Sequence, residues 1–302
     1  ERGVIAEEIL MYQDEPSSYV HELMEQTHWE GHPLGRSIAG TLASIESMTA
    51  EDFRSYRISH YNAPSTVVTS AGNIRHEDVV EKVTFALKGL PHGKAPSAKP
   101  CPPPRKSPKV VTAARDIQQT QLSLALPAIS HRDERRYAAH LLHVILGANA
   151  SSRLFQEIRE KRGLCYSVST HQTTLNDGGY LGISAGLDRR NLEKSLSLIL
   201  AQFENLRNKI IGIAELRRAK EYTIGSSRMA LERTSTQNMR LGNSVLAHGK
   251  IVDPESVNEK IRNVTPDEIL SLSKEILDPN RITLAVVGPN PDERMLKKLL
   301  GA

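Results

Sequence analysis

Two short stretches of this 302-residue sequence carry side chains whose types and spacing suit chemistry. The first is the opening segment, Glu1-Arg-Gly-Val-Ile-Ala-Glu-Glu8. On a helix, positions seven apart drift by only about 20°. Glu1 and Glu8 therefore share one face two turns apart, with Ile5 between them, while Glu7 points elsewhere. A carboxylate turned inward among Val4, Ile5 and Met11 would be costly unless it were paired or bound a metal. Taken alone, three glutamates near a helix start are more simply read as solvated. The second stretch is Ser151 to Val168. Leu154, Phe155 and Ile158 give a helix an apolar stripe, and Gly163 suits the left-handed residue after its end. Arg159 falls in the last helical turn and Tyr166 at the start of the next strand, so both can project from one corner. Their donors could hold a peptide carbonyl. The blander reading is an exposed Arg beside a half-buried Tyr. His140 and His143 lie three apart on a helix and could touch one metal, but no third ligand neighbours them, and packing or surface roles are expected.

The elements that must position these residues follow from pattern. Residues 1–29 read as helical with a break at Pro16, and 30–40 as a loop. Helices are expected at 76–88, 133–146, 151–162 and 190–207, with a long one over 213–247. Strands are expected at 117–126, 165–173 and 179–187, the last two joined by the hairpin signal Asn176-Asp-Gly-Gly179. Helices and strands mix without strict βαβ alternation, which favours an α+β fold. Residues 91–108 hold seven prolines. Proline fixes φ and removes a backbone donor, so this stretch reads as an extended linker between residues 1–90 and 109–302.

The two parts share a repeat. Thr49 and Thr265 each open a helix with an acid three residues later, the mark of a capping box. Each helix leads to a proline turn, at Pro64 and Pro279, then to a β-branched run, Ser65–Thr69 and Ile282–Val287. Each run ends at a glycine, Gly72 or Gly288, 23 residues after its threonine. Matched spacing predicts duplicated lobes.

Composition narrows the classes. Net charge is +4 with no basic run interleaved with aromatics, which does not favour nucleic acid as a partner. No apolar stretch approaches the length of a membrane span. Two cysteines, Cys101 and Cys165, make no disulfide framework, and a reducing, cytoplasmic setting is expected. Glu1 opens the chain inside what reads as a helix, so upstream sequence is expected, and a periplasmic or organellar setting stays open.

With these residues in view, Glu1-Arg-Gly-Val-Ile-Ala-Glu-Glu-Ile9 resembles the segment of pitrilysin/insulinase-type zinc metallopeptidases that supplies their third zinc ligand. The pattern Phe155-x-x-Ile158-Arg159-Glu160-Lys161-x-Gly163-Leu164-x-Tyr166 is similar to that family's second-lobe signature, and His32-Pro-Leu-Gly-Arg36 also fits. The likeness runs along essentially the whole chain and is strongest to the bacterial, mitochondrial-processing-peptidase-like branch. It implies that Glu8 is a zinc ligand and that Glu1 supports the site by orienting a ligand histidine. It implies that Arg159 and Tyr166 grip the substrate backbone beside the scissile bond. It implies two duplicated lobes, each a mostly antiparallel sheet packed with helices, the first incomplete, and a Zn²⁺-dependent endopeptidase that cuts peptides or unfolded segments in a closed two-lobed chamber, working as a homodimer.

One departure is large. The sequence contains no His-x-x-Glu-His, the family's source of two zinc ligands and the general base. His21-Glu-Leu-Met-Glu25 has the wrong order and no second histidine. The resemblance puts the motif upstream of Glu1, so this chain is expected to be inactive alone. The alternative is a non-catalytic family subunit that binds peptides or scaffolds a partner; retention of both Glu1 and Glu8 argues against it. A two-lobed binding protein of another family is the third reading.

Overall fold

The computed structural model describes residues 1–301. Its helices are α1 (Arg2–Asp14), α2 (Pro16–His28), α3 (Leu42–Ser47), α4 (Ala50–His60), α5 (His76–Ala86), α6 (Arg136–Gly147), α7 (Leu192–Asn208), α8 (Ile213–Leu231), α9 (Thr234–His248), α10 (Pro254–Asn263), α11 (Pro266–Ile276) and α12 (Glu293–Leu300). Its strands are β1 (Lys109–Ala114), β2 (Thr120–Pro127), β3 (Cys165–Thr174), β4 (Gly179–Leu187) and β5 (Thr283–Gly288). The fold is α+β. No helix among the described residues is long and apolar enough to cross a membrane.

Pro16 does end a helix: it sits at the first position of α2, and Glu15 caps that helix by accepting from Ser17 N at 3.3 Å. The hairpin β3–β4 forms where its turn residues predict. The expected 213–247 helix is two helices, broken between Leu231 and Thr234.

The chain divides into two compact units, and the boundaries differ from the sequence-based ones. Unit 1 comprises Glu1–Leu42, Cys101–Thr223 and Lys260 onward. It holds a single five-stranded sheet in the order β1-β5-β2-β4-β3. Only the β1–β5 pair is parallel; the others are antiparallel. Successive strand residues face opposite sides of a sheet. On β3, Thr170 meets His143 of α6 while the next residue, His171, meets His21 of α2. Helices α2 and α6 therefore cover opposite faces. Beneath α2, Val20, Met24 and Trp29 pack on Ala125, Tyr180, Ala285 and Val287. On the far side α11 packs on α6 and α7. Both faces being covered, β2, β4 and β5 are buried almost throughout, so they read as apolar runs rather than alternating ones.

The apolar face of α2 places it in unit 1: residues 16–28 bury Val20 and Met24 against the sheet of residues 120–288. The proline stretch is likewise not a free spacer. Cys101 N donates to Asp177 Oδ2 at 2.8 Å, and Arg105 Nη2 donates to Thr27 O at 2.8 Å and Glu30 Oε2 at 3.0 Å, which pins 101–105 into unit 1.

Unit 2 comprises Ala43–Pro100 and Ile224–Glu259 and is helical. The repeat survives here in its local parts. Thr49 Oγ1 accepts from Asp52 N at 3.3 Å and Thr49 N donates to Asp52 Oδ2 at 2.7 Å; Thr265 and Glu268 repeat this at 3.2 and 2.7 Å. Tight turns follow at Ala63–Ser65 and Pro279–Arg281. The strand does not survive: the run after Pro64 forms no ladder, although its counterpart is β5. A strand needs a hydrogen-bonded neighbour, and unit 2 has none among its described residues. The expectation of a sheet in each lobe is corrected to one sheet, in unit 1.

Candidate functional site

The corner of Arg159 and Tyr166 is built from two local irregularities. Phe155–Glu160 winds as a wide π-helical turn, a form that recurs at functional sites. Gly163 follows at φ +59°, where a side chain would be strained, and Leu164 N reaches back to Ile158 O at 2.9 Å. The chain then enters β3 through a bulge: Cys165 pairs with Leu187 and Ser167 with Gly186, leaving Tyr166 unpaired between them. Bulges re-aim side chains. Tyr166 is accordingly 60% exposed. The strand that carries it is the edge of the sheet, with Ser167 and Ser169 exposed beyond.

Three of the cations around this corner are already paired. Lys161 and Arg162 both bind Glu157 at 2.5 Å, and Arg190 binds Asp188 at 2.9 Å. These pairs hold the Glu157 and Asp188 carboxyls below their ordinary range. The exposed Arg159 guanidinium lies 4.9 Å from the centre of the Phe155 ring, and among the described residues no carboxylate pairs with it. Its Nη and Nε donors and the Tyr166 hydroxyl stand free for a ligand's carbonyl or carboxylate oxygens. The neighbouring Cys165 thiol is no nucleophile at neutral pH: burial pushes it up to about 11 against the pull of Arg159.

The carboxylates of α1 lie where the plainer reading of the sequence put them, in solvent. Val4 and Met11 are exposed, and the residue α1 buries is Ile9. Glu1 precedes the helix and Glu8 lies on it, both in solvent. No inward-facing carboxylate forms here. No group of three or more His, Cys, Asp or Glu side chains among the described residues is arranged to hold a metal ion. Zinc takes at least three protein ligands, so the residues present do not fit it by themselves. His140 and His143 play packing roles: their rings are 5.6 Å apart, and His143 Nδ1 lies 2.7 Å from Thr170 Oγ1.

A polar network between α2 and the sheet was not legible beforehand. His21 places Nδ1 3.1 Å from Ser123 Oγ and Nε2 3.1 Å from Ser184 Oγ. Its ring meets that of His171 edge-on at 5.4 Å, and His171 meets Tyr180 at 5.7 Å. Tyr180 OH donates to Glu25 Oε1 at 2.6 Å. Burial and that bond to a carboxylate push the Tyr180 hydroxyl up. Only the spacing of His21 and Glu25, one helical turn apart, was visible beforehand.

Known proteins resemble this chain in sequence and in fold. A family profile described as "Peptidase M16 inactive domain" matches residues 47–222. An uncharacterized zinc protease of Streptomyces coelicolor is 34% identical over 97% of this chain and 65% of its own length. One of Mycobacterium tuberculosis is 32% identical over all of this chain and 69% of its own. The chain thus spans about two thirds of the length of these relatives. Among solved structures, a peptidase M16 inactive domain from Pseudomonas fluorescens superposes with a TM-score of 0.86 at 21% identity, over 96% of this chain and 70% of that one. A protease from Helicobacter pylori does so with a TM-score of 0.83 at 19% identity, over 95% and 70%.

Proposed function

The chain belongs to the peptidase M16 family, and from that premise we propose that it is the substrate-gripping portion of a zinc-dependent endopeptidase acting on peptides or unfolded segments. The observation that carries this reading is the corner itself: an unpaired Arg159 and a bulged-out Tyr166 at the head of an edge strand. An extended peptide laid along β3 would find open backbone partners, and Arg159 and Tyr166 would hold its carbonyls in register. Both groups bind and orient; neither moves a proton in this scheme.

The proposed metal arrangement extends past this chain. Glu8 would supply one carboxylate and Glu1 a supporting one, with the remaining ligands coming from side chains the described residues do not include. In that reading residues 1–90 belong to a first, metal-holding lobe, 91–108 to the connection and 109–302 to the second lobe of a homodimeric, two-lobed chamber. A second reading, a non-catalytic subunit that binds peptides or scaffolds a catalytic partner, draws support from the family profile's description as an inactive domain.

Binding of a fluorescein-labelled unfolded peptide to this chain tests the shared part. Arg159→Ala should weaken binding about tenfold, the effect of losing one charge-assisted hydrogen bond, with the thermal midpoint unchanged. Equal affinity in wild type and variant would remove the corner from the reading. Zinc content of the longer protein separates the two readings, since only the peptidase requires stoichiometric metal.

A further inference from the structure

We propose that the His21–His171 contact, with Glu25–Tyr180 beside it, is an acid-opened latch that holds α2 against the sheet. The proposal does not rest on the peptidase reading, because neither peptide nor metal enters it.

The geometry suits neutral imidazoles. His21 is held at both ring nitrogens by serine hydroxyls of β2 and β4, one donating and one accepting. His171 lies flat over Gly182: a Cβ there would come within 2.2 Å of the ring, so the glycine makes the seat. His28, buried at the end of α2, places Nδ1 3.1 Å from Thr283 Oγ1 of β5. The charged and titratable neighbours are few. On α2 there is Glu25; on β4, Tyr180, already bonded to Glu25; across the sheet on α6, His143, which adds positive charge when protonated; and beside His28, Arg105, which is cationic and tied to Glu30. Protonating these histidines would crowd positive charge into one interface where Glu30 is already paired with Arg105 and Lys109, which leaves Glu25 to answer it.

The surroundings lower each histidine. Burial lowers His21 despite Glu25; burial and the neighbouring His21 carry His171 to about 4; burial and Arg105 carry His28 to about 4. The sign follows from linkage. A histidine that is neutral when docked and titrates normally when released favours docking above its ordinary value of 6.5. That preference is lost as pH falls from 6.5 towards about 4. For one such histidine the docking equilibrium should shift roughly 30-fold against α2 by pH 5.

Trp29, the single tryptophan of the chain, reports the event. It follows α2 directly, is 6% exposed and meets His28 edge-on at 4.5 Å. Between pH 7.5 and 4.5 its emission should shift to the red and become accessible to iodide, while far-ultraviolet circular dichroism keeps the helical signal of the remaining elements. A fall in intensity without a wavelength shift would be quenching by protonated His28 alone and would overturn the latch. So would simultaneous loss of the dichroism signal, which marks global unfolding. In a His21→Gln/His171→Gln variant the red shift should move at least one pH unit lower; an unmoved midpoint would overturn the assignment to this pair. Proton NMR of the wild-type histidines gives a test without mutation: His171 should titrate near 4 and His21 below its ordinary 6.5, together with the Trp29 shift, and titration of both at 6.5 would refute the proposal.

Discussion

Gly182 shows how much a single missing side chain can carry. The His171 ring occupies the space where any other residue would place its Cβ. Gly182→Ala should cost about 1–3 kcal/mol by overpacking, read as a lowered denaturation midpoint with an unchanged slope. Gly225→Ala, on α8 with open space around it, is the control and should be neutral or stabilising. At the same scale, Glu8→Gln in the longer protein should lower zinc content if that carboxylate is a ligand, whereas Arg159→Ala should leave zinc intact and reduce turnover; elemental analysis beside a peptide-cleavage assay checks both. The types of Arg159 and Tyr166 were legible because helix end and strand start are local signals. The bulge that frees Tyr166 was not, because it is a one-residue offset set by pairing with Leu187 and Gly186, some twenty residues away. The His21–His171 contact joins two residues 150 positions apart, and no periodicity connects them.

Elements divide along the same line. The capping boxes at Thr49 and Thr265 were legible because all their atoms lie within four residues. Thr265→Ala should cost about 1 kcal/mol and lower the melting midpoint of unit 1, because α11 is buried through Ile269, Leu272 and Ile276. Thr49→Ala removes the same bonds from α4, which buries no residue, so its effect should be confined to fraying of that helix, seen by amide exchange of residues 50–54. The β-branched run after Pro64 misled because strand propensity is a statement about fit to neighbours. The identical pattern at Thr283–Gly288 becomes a strand because β1 and β2 flank it.

At the scale of the molecule, the α+β class and the mixed order of elements were legible, while the grouping of residues 1–42 with 101–223 was not. That grouping is decided by which surfaces bury each other, and α2 carries an apolar face whose destination no spacing reveals. The two units also differ in burial. Leu124, Leu126, Ile183 and Leu284 of unit 1 are wholly buried, whereas Phe53, Tyr56, Ile58 and Phe85 of unit 2 are exposed. Amide exchange should therefore be slowest in β2, β4 and β5 and faster by orders of magnitude in α4 and α5. Comparable protection in the two sets would show that unit 2 is covered in solution.

The bulge before Ser167 has a consequence beyond aiming a tyrosine. An unguarded edge strand templates growth: another chain adds to it, then another, and a fibre results. Here the ladder of β3 is broken at its first rung, where Tyr166 faces water without a partner. A limp segment can bend past the gap, but a stiff, fully formed sheet cannot match it. Straightening this end by deleting the unpaired residue would favour self-stacking over capture of a guest, and the protein should then precipitate on gentle warming.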